Sequence, residues 1–301
     1  MRAITVAAFG PVAVLIPSDV PTPVPGPGQL LVEVTGAGVG AWDAKARRGA
    51  FGPRDFPFIP GTEVSGIVSA TSGELGGFAV GDTVFGSTNG VGGYAEYAVV
   101  DATRVASAPR QLDLEAAGAV PVGGVTAIEG IDEHLHLSAG ESVLVNGAAG
   151  GVGHFVVQIA RARGARVIAT ASPDHYDFVR SLGADEVVDY HSDWVSTVRG
   201  VDAAFDCVGG DTWVGCLQAI RDGGRAVTIA ASDQVEGHDR VTASSFSVSI
   251  TQDRLTEVAG LIDAGKASVA ISERLPLDEA VRAHEIIEAG HTRGKIVLIP
   301  G

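Results

Sequence analysis

The chain has 301 residues, 46% of them hydrophobic, and a net charge of -15 from 21 basic and 36 acidic side chains. That length suggests about two domains with room for large cores. So acidic a surface excludes nucleic acid and anionic membrane as partners, and no stretch approaches the ~18 uninterrupted apolar residues of a membrane helix, so a soluble, cytoplasmic protein is expected.

The opening "MRAITVAAFGPVAVLIPSD" is apolar and carries an arginine, but Gly10-Pro11 breaks it early. It predicts a two-stranded hairpin rather than a secretory leader. The Pro-rich run Val20 to Gly28 predicts a surface loop. "QLLVEVTGAGV", Gln29 to Val39, has β-branched residues near a period of two and predicts a strand. "VSGIVSAT" and "YAEYAVV" predict further strands, and "GPRDFPFIPG" and "LGGFAVGD" punctuate them. Residues 1–118 are therefore expected to form a β-rich domain.

From about Leu114 the texture changes. "SVLVNG", "ARVIATAS", "DEVVDY", "VDAAFDCVG" and "GRAVTIAAS" predict strands, and "GHFVVQIARARG" and "DHYDFVRSLG" predict helices between them. Alternating strands and helices predict an α/β fold, a doubly wound parallel sheet with helices on both faces, over residues 119–264. The two cysteines, Cys207 and Cys216, form no C-x-x-C pair and are expected to be free thiols. "ASSFSVSIT", Ala243 to Thr251, predicts an edge strand without Lys or Pro. Its unpaired backbone invites a second copy, so a homodimer is expected. "TQDRLTEVAGLIDAGKA" predicts an amphipathic helix, and the rest of the tail a strand, a helix and a strand.

The densest signal is Ala148-Ala149-Gly150-Gly151-Val152-Gly153, between a strand and a helix. It is a dinucleotide-binding fingerprint with its first glycine replaced by alanine. Gly150 admits a pyrophosphate close to the backbone, Gly153 lets the helix pack on its strand, and the helix N-terminus supplies N–H donors. The next strand ends Thr170-Ala171-Ser172, where NAD-specific versions place Asp or Glu. Ala171 removes the carboxylate that would repel a 2′-phosphate and Ser172 offers a hydrogen bond, which favours NADPH. The candidate cofactor residues are Thr126, Ala149, Gly150, Gly151, Val152, Gly153, Ser172, Tyr190, Val208 and Ala230, with His175 and Arg180 as weaker candidates.

"GAAGGVG", "LGADEVVDY", "FDCVGG", "PGTEVSGIV" and "RGKIVL", in this order over nearly the whole chain apart from the earlier "PGTEVSGIV", resemble the medium-chain dehydrogenase/reductase superfamily. Within it they resemble the zinc-independent quinone oxidoreductase branch. The resemblance implies a GroES-like catalytic domain at both ends, residues 1–118 and 265–301, around a Rossmann NADPH-binding domain. Zinc-using relatives hold their metal with Cys, His and Cys; the matching positions are Gly40, Thr62 and Val122, which predicts no metal. Without that Lewis acid alcohol oxidation is not expected. Hydride delivery to a quinone or another conjugated carbonyl is, because it needs positioning more than a strong acid. An enoyl-thioester reductase and an NADPH-binding sensor or structural protein are the alternatives. Phe51 stands where thioester-reducing relatives carry a Tyr proton donor, and it holds no proton to give. Asp43, Lys45 and Tyr94 remain as catalytic candidates, with Asp43 and Lys45 expected to pair on a loop. Trp42, Phe51, Asn89 and Phe246 are expected to wall a substrate pocket.

Overall fold

The computed structural model describes residues 1–73, 77–230, 239–290 and 292–301. They divide into two compact units: Met1–Val122 with Ile250–Ala264 and Val269–Gly301, and Gly123–Ser249 with Gly265–Ser268.

The first unit is β-rich. Its seven-stranded sheet runs Ile271–Pro276, Lys295–Ile299, Gln29–Val39, Glu63–Thr71, Thr83–Ser87 and Val105–Ser107, with Tyr97–Asp101 also paired to Gln29–Val39. The expected hairpin is present, Arg2–Val6 antiparallel to Leu15–Asp19. Gln29–Val39 alternates buried and accessible residues over its first half and is almost wholly buried over its second. There Gly38 has a packing reason: a Cβ would lie 2.5 Å from Glu63 Oε1. The last strand enters from the far end of the chain, with Ile296 opposite Val39 and Leu298 opposite Ala37. Leu30, Val32, Ile296 and Leu298 are all fully buried. Each such side chain contributes roughly 1.5–3 kcal/mol of apolar burial, so the two chain ends share one core.

The second unit holds a six-stranded parallel sheet in the order Glu186–Asp189, Arg166–Ala171, Ser142–Asn146, Val201–Asp206, Ile220–Thr228, Val241–Ser245. In chain sequence that is 3-2-1-4-5-6, the order of doubly wound dinucleotide-binding sheets, which places the switch point between Ser142–Asn146 and Val201–Asp206. Val143, Leu144, Val145, Ala203, Ala204 and Phe205 are completely buried, as strands covered on both faces require.

Two expectations shift. The helix Gln252–Asp263, expected with the central domain, clusters with the first unit. Its last residue fastens it there: Asp263 accepts Arg110 Nε at 3.2 Å and Gln111 N at 3.0 Å. The strand expected over Ala243 to Thr251 is Val241–Ser245, at the sheet edge, and the residues after it are not strand. It stops where its neighbour Ile220–Thr228 ends, with Thr228 opposite Ser245. Cys207 and Cys216 are free, and burial pushes both thiols up. No helix among the described residues is long and apolar enough to cross a membrane.

Candidate nucleotide and catalytic sites

In the second unit the strand Ser142–Asn146 runs into Gly147, whose φ of +78° is the left-handed conformation that favours glycine. Gly150 N donates back to Gly147 O at 3.1 Å and closes the turn, and the helix Gly153–Ala162 begins at once. A Cβ on Gly153 would strike the Gly147 carbonyl. A Cβ on Gly150 would meet only that carbonyl, at 3.4 Å, so this part of the turn is open to a close ligand. Gly123 brings a second helix, Pro121–Glu129, onto the loop: a Cβ there would lie 2.6 Å from Gly151 O. Thr126, buried on that helix, follows three residues on.

The other cofactor candidates lie at the same end of the sheet. Ala171 ends its strand buried, and half-buried Ser172 hydrogen-bonds His175 Nδ1 through Oγ at 3.4 Å. Tyr190 N donates to Ala171 O at 3.4 Å and ties the neighbouring strand end to this one. Arg180 lies over the Tyr176 ring and within 3.8 Å of Asp177. Val208 is exposed beyond Val201–Asp206, and Ala230 N donates to Thr228 Oγ1 beyond Ile220–Thr228.

A buried polar lattice under these loops was not foreseen. Asn146 donates from Nδ2 to Asp206 Oδ1 at 2.7 Å and to Thr212 Oγ1 at 2.9 Å. Thr170 Oγ1 donates to Asn146 Oδ1 and accepts from Gly147 N. Asp206 further accepts the backbone N–H of Val208 and Gly209 and the Thr228 hydroxyl. Four parallel strands thus end in mutually bonded polar residues that hold the glycine turn and its neighbours in place. The available signal was one polar residue closing each apolar run, at "LVN", "IAT", "AFD" and "AVT". A glycine turn with an open face, a helix N-terminus and fixed strand ends fits a dinucleotide.

The first unit carries the catalytic candidates. Gly40 precedes the helix Ala41–Arg47, and Asp43 Oδ2 accepts its N–H at 2.9 Å. Asp43 is only 2% exposed, and its other oxygen accepts the hydroxyl of half-buried Thr62 at 2.8 Å. Burial pushes the Asp43 carboxyl up to about 6, against the lowering effect of the Thr62 and Gly40 donors; the Glu63 charge adds to the rise and Lys295 opposes it. Lys45 is exposed and does not pair with Asp43. Two residues along a helix turn through about 200°, so the expected pair faces opposite ways.

Tyr94 is fully buried, and its hydroxyl lies 3.3 Å from His284 Nε2. His284 Nδ1 lies 3.1 Å from Arg47 Nη1. A guanidinium only donates, so Nδ1 accepts, Nε2 carries the hydrogen toward Tyr94, and the phenol hydrogen points on toward Asp43. Burial, then the Arg47 charge, lowers His284 to about 3, and burial together with Asp43 pushes the Tyr94 phenol up. Arg47 is itself fully buried and paired with Glu288. Beside this chain Glu63 pairs with Lys295, both buried, and Glu63 Oε2 accepts Val122 N at 2.8 Å. Neither Asp43 nor Tyr94 is therefore an open side chain. Arg47, His284 and Lys295 were missed as members of this cluster, because they are 237 and 232 residues from their partners.

Trp42 and Phe51 come together as an exposed stack, centroids 3.8 Å apart. Asn89 is exposed, with φ +62°. Phe246 belongs to the second unit, where it stacks on His134 at 4.3 Å. Gly40 has no side chain to ligate a metal, Val122 offers only carbon, Thr62 gives its hydroxyl to Asp43, and Glu63 is engaged on both oxygens. That donor set does not fit a tetrahedral zinc site.

Residues 26–110 match the family described as alcohol dehydrogenase GroES-like domain, and residues 182–298 the one described as zinc-binding dehydrogenase. The latter stretch contains none of Gly40, Thr62 and Val122. The chain is 33% identical to quinone oxidoreductase of Mus musculus, with 99% of this chain and 98% of the relative covered. Among solved structures it is similar to the quinone oxidoreductase from Coxiella burnetii, with a TM-score of 0.93, 29% identity, and 100% and 99% coverage. It is also similar to Escherichia coli quinone oxidoreductase complexed with NADPH, with a TM-score of 0.91, 28% identity and both chains covered in full.

Proposed function

Because the chain is an oxidoreductase of the medium-chain dehydrogenase/reductase superfamily, in its quinone oxidoreductase-like branch, we propose that it is an NADPH-dependent reductase of quinones or other α,β-unsaturated carbonyl compounds. The observation that carries this reading is the strand end at Ala171 and Ser172, without a carboxylate, beside a glycine turn whose face at Gly150 is open. It has support from the relatives named as quinone oxidoreductases and from similar structures solved with NADPH.

In this reading Thr126 and Ala149 to Gly153 hold the pyrophosphate, Ser172 and Tyr190 the 2′-phosphate side, and Val208 and Ala230 border the rest of the dinucleotide. When bound, the reduced nicotinamide supplies hydride. The residues of this chain bind and orient it: the first turn of Gly153–Ala162 presents N–H donors to phosphate, and the lattice around Asn146 and Asp206 keeps the loops from yielding. The Trp42–Phe51 stack offers a flat apolar face for a hydrophobic carbonyl compound, with Asn89 as a polar contact. The protein is assigned to the cytoplasm as a homodimer.

The test is NADPH oxidation with 9,10-phenanthrenequinone, a panel of enones and a crotonyl thioester. Turnover of quinone or enone supports the reading. Turnover of the thioester alone makes the protein an enoyl-thioester reductase, and tight NADPH binding without any turnover makes it a sensor.

A further inference from the structure

Hydride delivery to a conjugated carbonyl leaves a negative oxygen that must gain a proton, and the proton donors of the first unit are not equivalent. Tyr94 is wholly buried and gives its hydrogen inward. Arg47 fixes the tautomer of His284 and holds its own protons, so a proton cannot be drawn through that end. Lys295 is buried in its pair with Glu63. Phe51 and Trp42 have no acidic proton to offer. Among the described residues of this cluster, that leaves a hydroxyl at its accessible side, Thr62, and a carboxyl directly behind it, Asp43, joined by a 2.8 Å hydrogen bond.

We infer that the Thr62 hydroxyl is the proton donor to the substrate oxyanion, with the buried Asp43 carboxyl as the source of that proton, an assignment that rests on the reductase reading. As carboxylate, Asp43 accepts the Thr62 hydrogen. Once protonated it donates to Thr62 Oγ1 instead and turns the hydroxyl hydrogen outward. After two electrons and one hydrogen have reached the substrate carbon as hydride, the Thr62 O–H bond breaks toward the substrate oxygen while the Asp43 O–H bond breaks toward Thr62. The oxygen gains one proton, Thr62 is unchanged, and Asp43 is left as carboxylate. Water reprotonates it through the same hydroxyl when product leaves. Thr62 touches the reacting oxygen and is catalytic; Asp43 acts through it.

The electrostatics suit the task. Glu63 faces Asp43 from its strand, Lys295 from the last strand, and Tyr94, backed by His284 and through it by Arg47, from the loop before Tyr97–Asp101. Their balance with burial puts the Asp43 carboxyl at about 6, so roughly a tenth is protonated at neutral pH.

The experiment compares the parent with Thr62→Val, Thr62→Ser and Asp43→Asn in NADPH oxidation by 9,10-phenanthrenequinone, from about pH 5 to about pH 9. NADPH binding is read separately by fluorescence. Thr62→Val is expected to lower kcat about a hundredfold, with KM and NADPH binding within about twofold, and Thr62→Ser to restore most of the rate. The parent rate should fall about tenfold per pH unit above about 6, and Asp43→Asn should lose that slope. Infrared difference spectra of parent against Asp43→Asn should show a carboxyl band that titrates near the same pH. Thr62→Val at the parent rate, or no such band, overturns the inference while the reductase reading stands. A parent that oxidises NADPH with no carbonyl substrate overturns that reading and the inference with it. If Asp43→Asn does not fold, the Thr62 variants decide the donor and the parent's own pH slope decides its source, a parent rate level from about pH 6 to about pH 9 overturning the role of Asp43.

Discussion

Ala171 is where one side chain sets a preference between two cofactors. It closes the strand Arg166–Ala171, with the Tyr190 N–H on its carbonyl and the Ser172 hydroxyl next along. Ala171→Asp would set a carboxylate against a 2′-phosphate at a partly screened site, a penalty of ~1–2 kcal/mol or roughly tenfold in Kd. NADPH should weaken by that factor and NADH should tighten, as read by fluorescence titration; equal affinities for the two cofactors in the parent would sink the NADPH assignment. Lys295 is decisive for stability instead. Its ammonium and the Glu63 carboxylate are 6% and 2% exposed. Lys295→Met would leave Glu63 as an uncompensated buried charge, at a cost of about 3–5 kcal/mol, while Lys295→Met with Glu63→Gln should recover most of it. Urea midpoints of the two variants check this, and equal midpoints would show that the charge is not what matters.

Elements were legible wherever one local pattern decided them. The strand runs ending at Asn146, Ala171 and Asp206 are apolar because both faces are covered, and the glycine turn follows from its spacing between strand and helix. What was not legible depends on who packs against whom. Nothing local says that Asp43 is sealed in with Thr62 and Tyr94, or that the helix Gln252–Asp263 is fastened by Arg110 rather than by the sheet it follows. Nor does local pattern place the end of Val241–Ser245, which is set by the length of its partner. That strand lies at one edge of the parallel sheet and carries no Lys or Pro. Two copies related by a twofold axis would pair there and continue the sheet. The probe is Thr242→Lys, at an exposed position of that edge strand. Light scattering should give a dimer for the parent and a monomer for the variant, and a monomeric parent would end the idea.

Across the whole molecule, two buried groups pull stability in opposite directions with pH. His284, lowered from 6.5 to about 3, refuses a proton that the unfolded chain accepts. Its contribution is complete above about 6.5 and is lost as pH falls toward about 3. Asp43, raised from 3.8 to about 6, keeps its proton where the unfolded chain has released it. Its contribution is complete below about 3.8 and is lost as pH rises through about 6, on the order of 3 kcal/mol. His284→Gln should therefore flatten the acid limb of a urea-midpoint profile and leave the loss on the alkaline side of about pH 4 in place; an unchanged acid limb would clear the imidazole of that role. The pairing of Lys295–Ile299 with Gln29–Val39 also has a consequence in time. At synthesis rates of about 5–20 residues per second, the first β-rich segment waits roughly 10–40 s for the strand that completes its sheet. During that wait the end of Gln29–Val39, Ala37 to Val39, with which Ile296 to Leu298 will pair is a bare hydrogen-bonding edge, and the glycine-turn unit, whose strands are close in sequence, finishes first. The nascent chain is thus most open to chaperones, and to mispairing with another nascent copy, along the strand that ends beside Gly40.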